Sequence, residues 1–135
     1  MIVDDDDSIL QLMREIIERL IDVEIVCFSS PIEALEAFEA EPETFEFVIT
    51  DFEMHGLNGV ELSSRLRALQ PTLKILLATG SELFSNEEAL EKGFCGLLRK
   101  PFPFAALQKA LAPAILEYSQ NAFNPDVGII LARPN

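Results

Sequence analysis

Four consecutive aspartates, Asp4 to Asp7, follow three apolar residues at the start of the chain. Carboxylates this close raise one another's pKa unless a cation neutralises them. Magnesium suits such a group, being a hard ion that takes oxygen ligands and keeps several waters. The run also reads as a helix cap or a solvated acidic stretch, and alone it does not separate the three. Farther along, Asp51 follows the run FEFVIT, Thr79 ends LKILLAT, and Lys100 ends CGLLRK. A carboxylate beside a metal can act as a nucleophile toward a phosphoryl donor. A metal, an ammonium and a hydroxyl can then stabilise charge on the transferring oxygens.

For that chemistry the residues must meet, and the pattern of elements says how. Short β-type runs alternate with amphipathic stretches: MIV, then residues 7–20 with apolar side chains at 9, 10, 12, 13, 16, 17 and 20. That spacing is helical. VEIVCF (23–28) predicts a second strand. SSPIEALEAFEA then starts a helix with Ser30 as N-cap, Pro31 in the first turn and Glu33 completing a capping box. FEFVIT (45–50) is the third strand, and a helix from about Asn58 to Leu69 follows the loop FEMHGLNG. LKILLAT (73–79) has the near-continuous apolar character of a central parallel strand. SNEEALEKG gives a short helix between Ser85 and Gly93. CGLLRK (95–100) is a fifth strand, and FAALQKALAPAILEYS a last helix, bent or interrupted at Pro113.

Strict alternation of five strands and five helices predicts a doubly wound α/β domain with a five-stranded parallel sheet. In such sheets the ligand crevice lies outside the carboxyl ends of the strands. Asp4, Asp5, Asp51, Thr79 and Lys100 all stand at those ends. Each alone has an ordinary reading as a loop acid, a strand threonine or a solvated lysine; five together on one rim make a site. The last stretch, QNAFNPDVGIILARPN, falls outside the alternation. We expect a domain over residues 1–118, with 119–135 a docked tail, an added edge strand or the start of a linker.

Bulk properties narrow the function. At 135 residues and 49% hydrophobic, the chain is one globular domain. Its net charge of −13 repels phosphate backbones and anionic lipid, so direct nucleic-acid or membrane binding is not expected. Much of that charge lies in PIEALEAFEAEPETFEF, whose glutamates are spaced as on a solvated helix face. No run reaches the ~18 apolar residues of a membrane span, and no signal-type segment opens the chain. The expected location is cytoplasmic. Cys27 and Cys95 read as small buried hydrophobes kept reduced, and with one histidine they do not make a standard zinc site.

Four segments carry a resemblance. IVDDDDSI, VITDFEMHGLNGVEL, LLATGS and LLRKPF resemble, in order and spacing, the motifs of receiver domains of two-component response regulators, over roughly residues 1–118. The resemblance implies a flavodoxin-like fold with strand order 2-1-3-4-5, placing Cys27 and Cys95 on opposite edges. It makes Asp51 the phosphoacceptor and Asp4 and Asp5 the acid pocket around Mg2+. Asp5 is then a direct metal ligand, with Asp51 and the backbone carbonyl of Glu53 beside it. Thr79 takes the switch role and Lys100 the phosphate-binding role, with the Lys100–Pro101 peptide cis. Asp6 and Asp7 are left to serve the following helix. The chain departs from the pattern in its short first strand and at two residues. His55 stands where the family usually has proline, and reads as a turn residue. Leu97 replaces an aromatic residue that often changes rotamer, so activation is not expected to depend on a ring swinging inward.

The implied function is to take a phosphoryl group from a histidine kinase, in trans or in the same chain, and then hydrolyse it slowly. The domain thus catalyses its own phosphorylation and dephosphorylation, and phosphorylation repacks a face for partners. Partners consistent with this are a downstream output protein, a phosphotransfer domain or a second copy in a phosphorylation-dependent homodimer. The sequence shows no DNA-binding output segment, so a stand-alone regulator or the receiver of a hybrid kinase is expected. Two other classes stay open: a receiver-like interaction module that is never phosphorylated, and a magnesium-dependent aspartyl phosphatase for small molecules. Asp51-Phe52-Glu53 fits the latter's DxD motif only loosely.

Overall fold

The computed structural model describes residues 1–121, 123–124 and 128–129, with side chains through residue 112. Side-chain alternation organises it. Strands β1 (Ile2–Val3), β3 (Phe47–Thr50), β4 (Lys74–Thr79) and β5 (Gly96–Arg99) are joined by β2 (Cys27–Phe28) in one parallel sheet of order β2-β1-β3-β4-β5. Val3, Val48, Ile75 and Leu77 point to one face, and Ile2, Ile49, Leu76, Ala78 and Leu98 to the other. Period-two side chains on a strand buried on both faces produce two cores.

Helices cover each face by burying one stripe. Helix α1 (Asp7–Leu20) contributes Leu10, Met13 and Ile17, and α5 (Phe104–Asn121) contributes Leu107 and Leu111, to the second core. On the first core lie α2 (Pro31–Ala40), α3 (Gly59–Leu69) and α4 (Asn86–Glu91), through Phe38, Leu62, Leu66 and Ala89. The doubly wound topology is as the alternation predicts. Caps fix where the helices start. Asp6 accepts from the Ser8 N–H at 2.9 Å, and reciprocal capping boxes join Asn58 to Glu61 and Ser85 to Glu88.

Some local expectations are corrected. The second strand keeps only Cys27–Phe28 of the expected 23–28, because its single neighbour β1 offers a two-residue ladder. Val23 and Ile25 instead pack against the α1/α5 core. The Ser30 cap is one-sided: its Oγ accepts from the Glu33 N–H at 3.3 Å, without the return bond made at α3 and α4. Helix α5 runs unbroken through Pro113. Cys27 is half-buried against the α1/α5 core and Cys95 is exposed, so neither is fully buried; both are free thiols, Cys27 in edge strand β2 and Cys95 just before the opposite edge strand β5. Although Cys95 as a residue is exposed, the protein around its thiol removes enough water to push the pKa above its ordinary value. Lys100–Pro101 is cis. Beyond α5, β6 (Phe123–Asn124) and β7 (Gly128–Ile129) pair antiparallel with each other. The remaining tail, on which the expectation for residues 119–135 rests, lies outside the described residues.

Candidate functional site

Parallel strands deliver their carboxyl ends to one rim, and ladder register decides which residues become neighbours there. Val3 pairs with Thr50, so the next residues, Asp4 and Asp51, emerge side by side. The Asp51 N–H donates to the Val3 carbonyl at 2.9 Å, and the Asp4 N–H to the Phe28 carbonyl at 3.1 Å. One carboxylate oxygen each from Asp4, Asp5 and Asp51 lies within 4.8 Å of the others. Asp4 and Asp51 are buried, while Asp5 faces solvent.

Lys100, just past β5, reaches into this cluster. Its Nζ donates to Asp4 Oδ2 and stands 3.3 Å from Asp51 Oδ1. Backbone N–H groups add to this: Asp4 Oδ1 accepts from the Asp6 N–H, and the same Asp51 Oδ1 that faces Lys100 accepts from the Phe52 N–H, both at 2.9 Å. Burial pushes the Asp51 carboxyl above its ordinary range, and the negative charge of Asp4 adds to that, against the opposing pull of Lys100. Burial disfavours the Lys100 ammonium, but its hydrogen bond to Asp4 and the charges of Asp4 and Asp51 outweigh this and raise its pKa. Crowded carboxylates thus raise Asp51 as expected, with burial the larger cause.

Thr79 ends β4 on the same rim. Its carbonyl accepts from the Lys100 N–H, and its Oγ1 from the Ser81 N–H, both at 3.0 Å. Glu53 lines the shallow cleft over the rim with Asp5, Phe52, Met54, His55 and Asn58, and both Glu53 and His55 are exposed. An apolar groove lined by Ile17, Ile21, Ile25, Phe47 and Leu111 opens at the other end of the sheet, away from these groups.

Two supports were not assigned from sequence. Thr50, fully buried, donates its hydroxyl to the Asp51 carbonyl at 2.9 Å. Gly59 donates its N–H to the Phe52 carbonyl at 2.8 Å, and a side chain there would run into the Asp51 carbonyl. The glycine in GLNGVEL was the available signal, since close backbone approach is a reason for glycine. Nothing local marks Thr50.

The donor set suits a hard divalent cation. All candidate ligands are oxygen, and three carboxylates against one ammonium leave two negative charges in excess. Asp5 is the open side of the cluster.

Residues 1–112 match the response regulator receiver domain family. A two-component response regulator of Arabidopsis thaliana is 26% identical over 138 residues, covering 96% of this chain and 22% of the plant protein. A protein-glutamate methylesterase/protein-glutamine glutaminase of Thermotoga maritima is 31% identical, covering 99% of this chain and 40% of the relative. The chain therefore spans well under half the length of these relatives. Among solved structures, a receiver domain protein from Clostridium thermocellum superposes with a TM-score of 0.76 at 28% identity, covering 86% of this chain and 92% of that one. The fold is shared at 18% identity, TM-score 0.75, with CheY in a CheX–CheY–BeF3–Mg2+ complex from Borrelia burgdorferi, over 84% of this chain and 85% of that one. Matched along nearly all of its described length, the chain belongs to the response regulator receiver family of two-component signalling.

Proposed function

We propose that Asp51 accepts a phosphoryl group from the phosphohistidine of a kinase. The observation that carries this is the convergence of Asp4, Asp5 and Asp51 within 4.8 Å, with Lys100 bridging Asp4 and Asp51. A carboxylate oxygen of Asp51 attacks phosphorus as the bond to the donor nitrogen breaks; the donor ring, carrying a proton on its other nitrogen, keeps the electron pair and leaves as neutral imidazole, and Asp51 becomes an acyl phosphate. Asp4, Asp5, Asp51 and the Glu53 carbonyl would hold Mg2+, which when bound supplies positive charge opposite the phosphoryl oxygens. Lys100, already in the cluster, turns its ammonium to a phosphoryl oxygen, and the Thr79 hydroxyl donates to another. Water then hydrolyses the acyl phosphate, releasing inorganic phosphate and restoring the Asp51 carboxylate. The added charge and oxygens reposition Thr79 and the segment after it, changing the face offered to a partner.

The test is intact-protein mass after incubation with acetyl phosphate. Wild type should gain one phosphoryl group only when a divalent cation is present, and Asp51→Asn should gain none while remaining folded. An undiminished adduct on Asp51→Asn, or on wild type in chelator, would sink this assignment.

A further inference from the structure

Strand β5 carries a second cation, Arg99, one residue before Lys100, and the site described above does not use it. Alternation along β5 sends Leu98 into the α1/α5 core, whereas Leu97 packs against the α2–α4 core. Arg99 therefore shares the α4 side with Leu97. Its guanidinium donates from Nη1 to the Ser81 carbonyl at 3.0 Å and from Nη2 to the Phe84 carbonyl. These two carbonyls lie at either end of the segment joining Thr79 to α4.

Both ends of that segment lead back to the site. The Ser81 N–H is bonded to Thr79 Oγ1, so the hydroxyl and Ser81 move as one. The Leu83 N–H is bonded to Ser81 Oγ, which folds the segment on itself. The Phe84 ring meets the Phe52 ring edge-on at 4.7 Å, and the Phe52 N–H is bonded to Asp51. One guanidinium thus grips the two points through which a change at Thr79 or Asp51 reaches α4.

We infer that Arg99 is a positioning residue: a two-pronged latch that holds the Ser81–Phe84 segment, and through it Thr79, in the resting arrangement. This rests on the reading of Asp51 as phosphoacceptor. Drawing Thr79 toward a phosphoryl group on Asp51 moves Ser81, and the latch must release at least its first prong. A group bonded only in the resting state opposes the phosphorylated one, and its removal shifts the population toward the latter. Leu97, without a polar tip, offers no competing device on this face. The far end of α4 is tied separately, by Arg67 of α3, which donates to the Gly93 and Lys92 carbonyls at 2.7 and 2.6 Å. Arg67 loosens the same helix when removed but touches nothing bonded to Thr79, so it serves as the control.

The experiment compares wild type, Arg99→Met, Arg99→Lys and Arg67→Met. Beryllium fluoride with saturating magnesium is the phosphoryl analogue, and amide hydrogen exchange is read without analogue. Arg99→Met should bind the analogue roughly fivefold more tightly and exchange faster at residues 81–85. Arg99→Lys, with one prong, should fall between. Arg67→Met should exchange faster around residues 92–93 with analogue affinity unchanged. A merely structural role would weaken analogue binding or leave it alone. Unchanged or weaker binding in Arg99→Met, equal tightening in Arg67→Met, or unaltered exchange at 81–85 would each overturn the latch. If wild type neither binds the analogue nor takes phosphate at Asp51, the phosphoacceptor reading fails instead, and with it this inference.

Discussion

At the scale of residues, Asp51 is held in a state that costs the protein stability until something neutralises it. Burial first, and Asp4 second, raise its pKa above the ordinary 3.8. A raised carboxyl binds its proton more tightly folded than unfolded. Its stabilising contribution is therefore full below the unfolded value and is lost as pH rises through the folded one. In chelator, Asp51→Asn should unfold at a higher temperature than wild type at pH 7, and the advantage should vanish below about pH 3.8. An advantage independent of pH would mean better packing rather than a removed charge. Lys100 has the opposite place in the balance. Lys100→Ala leaves Asp4 and Asp51 without their internal cation, and should cost about 3 kcal/mol in denaturant melts without metal. Added magnesium should recover much of that loss, since the carboxylates that bind it remain. Labelling from acetyl phosphate should still fall sharply, because no other described side chain supplies an ammonium at this rim.

At the scale of elements, two glycines separate architecture from site. Gly93 ends α4 with φ +89, a left-handed conformation that other residues adopt only at a cost. A side chain there also meets the Arg67 guanidinium, the movable end of a flexible chain. Gly93→Ala should thus lose about 1–2 kcal/mol of stability and keep its phosphorylation yield. Gly59 faces the rigid Asp51 carbonyl instead. Gly59→Ala should depress phosphorylation at a given magnesium concentration even where denaturant midpoints show the protein folded. Equal labelling in both variants would contradict the distinction. The same contrast says what the sequence could reveal. Gly93 was legible as a helix stop, and Ser85 as a cap, because those signals are local, whereas Asp6 could be given to its helix only once Asp4 and Asp5 had another role. The loss of Val23–Val26 from the second strand depends on how much ladder β1 offers, which belongs to another segment. Glu33 has the right spacing for a capping box, yet spacing does not fix a rotamer. Arg67 and Arg99 look like ordinary surface cations until the fold brings backbone carbonyls to them.

At the scale of the whole molecule, the order of elements was legible because each strand and helix announces its own period, and strand ends alone collected Asp4, Asp5, Asp51, Thr79 and Lys100. What sequence could not supply was the register that sets Val3 against Thr50, and hence how close the carboxylates come. That closeness matters in a molecule carrying a net charge of −13. Such a chain repels itself when compact, and any salt relieves part of the repulsion by screening. A divalent cation seated among Asp4, Asp5 and Asp51 does something further, because a ligand bound only by the folded state stabilises it by mass action, about 2.7 kcal/mol at a hundredfold excess over Kd. The two effects separate by valence and by site. Magnesium chloride should raise the melting temperature of wild type well above sodium chloride at equal ionic strength. Asp5→Asn removes one exposed carboxylate of the cluster and hardly alters the overall charge. It should keep the sodium response and lose most of the magnesium increment, with magnesium affinity down roughly tenfold or more. Substituting Glu36, an exposed acid on α2 outside the three-carboxylate cluster, by glutamine changes net charge by the same amount and should leave the increment whole. If Glu36→Gln and Asp5→Asn lost the magnesium increment equally, the cation would be acting on the molecule's charge at large, and the three-carboxylate cluster would not be a metal site.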